Sequence, residues 1–147
     1  MPLDDLRLRQ IATVGRLSRP LGAAVALAGL LGFVAVVAAA LGAHGPLAEV
    51  EETRRSIQAI ASVTGLHAVA LLVLTVLQQM LAFGLARRLA GIGALLFGAG
   101  AVLFAAGVVA GLAGVSALGP LAPIGGGTLM LGWLACVGVG LASMLRR

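Results

Sequence analysis

The stretch Leu89–Gly114 reads LAGIGALLFGAGAVLFAAGVVAGLAG, an uncharged run in which glycine recurs every seven residues at 93, 100, 107 and 114. A bilayer's hydrocarbon core takes about 20 apolar residues of helix to cross, so this segment is long enough to span one. The glycine repeat leaves one helix face almost without side chains. In lipid, where apolar surface gives no drive to associate, such faces let helices approach closely and gain dispersion contacts. Gly107 also opens a small-xxx-small pair with Gly111, so helix packing is assigned to Gly93, Gly100, Gly107, Gly111 and Gly114.

Three further stretches match it: Leu21–Ala43, Ile57–Ala86 and Ile124–Leu145 also lack any charged residue. They predict an all-α integral membrane protein, an antiparallel four-helix transmembrane bundle with spans of about 21–43, 60–86, 89–114 and 124–145. Residues 21–147 then form one four-span domain, and residues 1–20 a separate basic segment. The composition, 61% hydrophobic and 10% charged, is far from that of a soluble domain and makes the lipid bilayer the solvent for most of the chain. A stripe of Ala24, Ala28, Gly32, Ala35 and Ala39 gives the first span a smooth face as well. Phe33, Leu72, Phe97, Phe104 and Trp133 are the large side chains expected to fill the space between helices.

All ten basic residues are arginines, and they stand between or outside the spans. Arg7, Arg9, Arg16, Arg19, Arg87, Arg88, Arg146 and Arg147 fall on one side, Arg54 and Arg55 on the other. The bias toward basic cytoplasmic loops puts both termini in the cytoplasm. A net charge of +5 without aromatic interleaving or a basic groove motif suits an anionic leaflet and excludes nucleic acid as a partner. Heavy Ala, Gly, Leu and Val usage with no lysine points to a GC-rich bacterial genome, hence to the cell (inner) membrane. Within residues 1–20, Leu3, Leu6, Ile11, Val14 and Leu17 share one helical face, opposite Arg9, Arg16 and Arg19. That pattern suits an amphipathic helix in the headgroup layer, and equally a basic tail that only sets topology. Ala40-Leu41-Gly42 resembles a processing site, but the preceding apolar run is longer than that of a signal peptide, so the first span is expected to remain.

Polar groups inside the spans are few. Gln78 and Gln79 are expected to hydrogen-bond to neighbouring helices, and Thr64, Thr75, Thr128 and Ser143 to return hydrogen bonds to their own backbone. No ionisable carboxylate or guanidinium lies in a span, which argues against coupled transport. No nucleophile elbow or phosphate loop is present, since Gly125-Gly126-Gly127 lacks the lysine and hydroxyl of a Walker motif. After Pro123 these glycines are read as a tight turn into the last helix. Cys136 is a small packing residue. His44 and His67 are the sole candidates for cofactor chemistry. On antiparallel neighbours joined on one side they can reach similar depth, where haem or a transition metal would find two imidazoles. Equally, His44 can cap the first helix and His67 can hydrogen-bond to an adjacent one.

Gly42-Ala43-His44-Gly45, His67 with the Ala-Leu run after it, and Pro123-Ile124-Gly125-Gly126 leading to Gly132-Trp133 resemble the YgdD/YwdK-like family. These are small four-span membrane proteins of unknown function, bacterial with animal relatives. The likeness covers about Leu21 to Ala142; Leu66 stands where relatives carry an aromatic before the second histidine. It implies the same four-span fold and supplies no activity. The first and third spans also share a Gly-Pro-Leu ending (45–47 and 119–121), which suggests two related hairpins. The chain is thus expected to be non-enzymatic, a structural or accessory subunit of a larger membrane complex or a homo-oligomer. A haem- or metal-binding protein using His44 and His67 is the alternative, and a small channel or carrier a second.

Overall fold

The computed structural model describes residues 18–44, 46–82 and 84–145, so residues 1–17 of the basic segment, along with Gly45, lie outside the described residues. Four helices carry the fold: α1 Arg19–Ala43, α2 Glu51–Met80, α3 Leu85–Leu112 and α4 Leu121–Met144. At 1.5 Å per residue they are about 36–45 Å long, and all four are apolar enough to cross a bilayer. Single turns of 3-10 helix, Pro46–Ala48 and Ser116–Leu118, shorten the first and third connections. The protein is an all-α four-helix bundle whose environment is a lipid bilayer.

Each helix begins or ends for a local reason. Pro20 occupies the first turn of α1, where a missing N–H costs nothing. Glu51 and Glu52 fill the first turn of α2, favourable at the positive end of a helix dipole. Glu51 holds both Arg54 and Arg55, the latter at 2.6 Å. At the end of α3 the Val115 N–H donates to the Ala110 carbonyl at 2.9 Å and the Gly114 N–H to that of Gly111 at 3.1 Å. With Gly114 at φ +74°, this is the Schellman ending that favours glycine.

The second connection departs from expectation. The uncharged run suggests a second span reaching Ala86, with Arg87 and Arg88 forming the loop. Instead α2 stops at Met80 and α3 starts at Leu85, so both arginines and the buried Ala86 belong to α3. The turn falls where Gly84 supplies φ +140°, a conformation that side chains resist. Hydropathy alone does not see such a turn, because its flanking residues are apolar too.

Neighbours in sequence are neighbours in space. α1 packs on α2, α2 on α3 and α3 on α4; α1 touches α3 only lightly and does not pair with α4. The main core joins Leu31, Leu71, Leu74, Phe97 and Leu129, and a smaller cluster joins Ala38, Ile57 and Ile60. Contact is closest between α3 and α4. Gly93, Gly100 and Gly107 face an α4 surface that has its own seven-residue pair, Gly125 and Gly132. A methyl on Gly107 would collide with the Ala122 backbone nitrogen, and one on Gly125 with that of Phe104, 2.7 Å from the Gly100 carbonyl oxygen. These helices touch backbone to backbone.

The glycine assignment needs correction at two positions. Gly111 faces open space, one turn beyond the contact, and Gly114 ends the helix and packs on nothing. Gly125-Gly126-Gly127 form no turn; they lie within α4, and only Gly125 meets a neighbour. On α1, Ala28 and Ala35 are buried as the stripe suggests, but a side chain on Gly32 would meet nothing and Ala39 is exposed. Of the large side chains, Phe97 is fully buried, whereas Phe33 is 66% exposed on the outer face of α1. Thr64, Thr75, Thr128 and Ser143 all donate to the carbonyl four residues earlier, at 2.6–2.8 Å, as expected. The Cys136 side chain packs against the main core.

Gly125→Ala is therefore expected to destabilise the bundle by about 1–3 kcal/mol, the cost of forcing packed backbones apart. Gly126→Ala, one residue on and facing open space, should leave stability unchanged or slightly raised. Thermal unfolding of both variants in the same detergent checks the pair.

Candidate functional site

His67 lies in the middle of α2, between α3 and α4, and is 6% exposed. One turn before it stands the Val63 carbonyl, 2.7 Å from Nδ1; across the bundle the Trp133 indole Nε1 is 3.1 Å from Nε2. An indole N–H can only donate and a carbonyl can only accept, so the proton must reside on Nδ1 and the Nε2 lone pair must face Trp133. The hydrogen bonds therefore select one neutral tautomer, with both ring nitrogens engaged.

Phe97 of α3 completes the cluster. Its ring centroid is 5.3 Å from that of His67 and 5.0 Å from that of Trp133, with interplanar angles of 54° and 63°. Such tilted and edge-on pairs are the arrangement that aromatic quadrupoles favour. Gly132 makes room for it, since a Cβ there would lie 2.6 Å from the Phe97 Cε1. Leu131-Gly132-Trp133 thus has a local logic. The glycine admits the Phe97 ring, and the next residue reaches the imidazole.

Other expected site residues lie elsewhere. Gly42 is buried, with Gln58 and Ile57 atoms 3.4 Å from where its Cβ would be. His44 follows the end of α1, exposed, its backbone N–H bonded to the Ala40 carbonyl at 3.0 Å. Ala43 is exposed beside it, and Pro123 stands exposed in the first turns of α4. The two histidines are not at one depth. Gly42 opposite Gln58 and Ala35 opposite Gly65 set a register that makes His67 level with Phe33, about 16 Å along the axis from His44. His67 has no free lone pair for a metal or haem, and His44 is too far to share one, so the residues do not fit a bis-histidine centre. Among the described residues no three His, Cys, Asp or Glu side chains are grouped. The cluster carries no nucleophile and no acid–base pair; what it can do is pin three helices at one level.

Phe97 is the residue of this cluster that sequence reasoning assigned only a filling role. The signal was present in its helical spacing, four residues after Gly93 and three before Gly100, on the face turned to α4, but nothing in the sequence singled out the His67–Trp133 hydrogen bond.

These features define a small multi-pass membrane protein with an aromatic–imidazole cluster between three of its helices. The chain belongs to the family described as protein of unknown function (DUF423), which it matches over residues 38–126. The matched region holds His44, His67, Phe97 and Gly125 and stops short of Trp133. No curated protein and no solved structure matches the chain.

Trp133→Phe would leave Nε2 of a buried imidazole without a donor, at an expected cost of about 1–2 kcal/mol. Once His67 is replaced by leucine, Trp133→Phe should cost much less. A double-mutant cycle on detergent unfolding reads the difference, and additive effects would show the bond to be worth nothing.

Proposed function

We propose that the protein is a non-enzymatic structural or accessory subunit of a larger assembly in a bacterial cell membrane, with both termini in the cytoplasm. The observation that carries this reading is the open side of the bundle. Because α1 does not pair with α4, the outer face of α1 meets no other helix among the described residues. That face carries Gly22, Gly29 and Gly32, and a side chain on any of the three would meet nothing within 4 Å. Set among the exposed Val25, Phe33 and Val36, these glycines leave notches next to lipid into which another transmembrane helix can pack closely, from a different protein or a second copy. The orientation is supported by the arginine bias, eight against two. Membership of the narrower YgdD/YwdK-like group is supported by the His44, His67 and Gly132-Trp133 motifs.

Affinity purification from native membranes in mild detergent tests the proposal. A stoichiometric partner or a discrete oligomer is expected, with recovery reduced at least about tenfold in Gly29→Leu at unchanged thermal stability. A lone monomer in both detergent and nanodiscs would sink it. Reporter fusions at the two ends should both read as cytoplasmic; an external amino terminus would overturn the orientation.

A further inference from the structure

A lateral groove of about 1050 Å³ runs between α1 and α3 with α2 as its floor. It exists because α1 leans on α2 and barely reaches α3. Its walls are almost entirely apolar, formed by Leu27 of α1, Leu71 of α2, and Ala94, Gly98 and Leu103 of α3. Along α3 the lining extends from Arg88 to Leu103, about 22 Å of helix, which passes from headgroup level through one leaflet of a core about 30 Å thick.

The polar lining is concentrated at one end. Arg88, Gln78 and Gln79 stand there together, and by the antiparallel topology Arg19 heads α1 at the same end of the bundle. Arg88 makes no ion pair among the described residues. Gln78 and Gln79 were expected to bond across to neighbouring helices, but neither carboxamide has a hydrogen-bond partner among the described residues; Gln78 instead lies over Gly91 at the groove's edge. A cation and two unmatched carboxamides at the head of an apolar channel one leaflet deep complement a single kind of molecule. We infer that the groove holds a phospholipid with an anionic headgroup, its phosphate at Arg88, its ester carbonyls at Gln78 and Gln79, and an acyl chain along Gly98 toward Leu103. The site is independent of the α1 outer face, and it takes its lipid from whichever leaflet borders Arg88.

The test uses the full chain in mild detergent with an equimolar mixture of phosphatidylglycerol and phosphatidylethanolamine, read by native mass spectrometry. Wild type should retain one phosphatidylglycerol in preference to phosphatidylethanolamine. Arg88→Gln should reduce that preference by about five-fold, the factor one basic residue contributes at an anionic surface. Ala99→Trp, an exposed position that lines the groove, should expel both lipids while thermal unfolding shows the bundle intact. Equal retention of the two lipids by wild type, or retention unaltered in both variants, would overturn the inference. So would a mass showing a second copy of the chain that Ala99→Trp releases, because the groove would then be a dimer contact. If Ala99→Trp fails to fold, Leu95→Trp on the same lining serves in its place, with the same readings.

Discussion

Water drives apolar helices together; lipid does not. Inside a bilayer two helices hold to each other only as closely as their backbones permit, and this bundle is organised around the one place where the backbones meet. Gly107 of α3 and Gly125 of α4 each press on the other helix's backbone, and Gly100 admits the Leu129 side chain beside the Gly125 carbonyl. That closeness brings Gly132 against the Phe97 ring and carries Trp133 to the far side of it, within reach of α2. The contact of α2 with α4 through His67 is therefore a consequence of the α3–α4 approach. Were the two helices a few ångströms further apart, the indole would fall short of the imidazole.

Burial is greatest in the two middle helices, α2 and α3, and least in α1 and α4. α3 buries Ala90, Phe97 and Ala101 completely, while α1 buries only small residues and Leu31 on a narrow stripe. α1 is held by one neighbour. The gap it leaves toward α3 is the groove, and the side it turns away from the bundle is the exposed face of Gly22, Gly29, Phe33 and Val36. Both surfaces trace to the one-sided attachment of α1, which packs closely on α2 alone.

The spans, their number and their antiparallel order were legible because hydropathy and arginine placement report directly on membrane crossing. The backbone hydrogen bonds of Thr64, Thr75, Thr128 and Ser143 were legible too, since a hydroxyl in a lipid-embedded helix has few other partners. What sequence could not supply was which turn of a periodic pattern meets a neighbour. Gly111 continues the small-residue series of Gly107 and yet lies past the contact. Gly84, in a run read as helix, makes a turn because its φ is positive, which no hydropathy scale records. The depth of His67 depended on the register between α1 and α2, and that register is set by packing around Gly42 and Gly65. For Gln78 and Gln79 the expectation of partners within the bundle failed because α1 stands off from α3.

The His67–Trp133 hydrogen bond joins residues 66 positions apart. During synthesis, at about 5–20 residues per second, the imidazole precedes its partner by roughly 3–13 s. Its Nδ1 is satisfied at once by the Val63 carbonyl within the same helix, but Nε2 has to wait for α4 to be made. The amino-terminal hairpin thus enters the bilayer with one polar acceptor open at mid-depth. Synthesis of α4 closes it, so the second hydrogen bond of the imidazole forms only when all four helices are present.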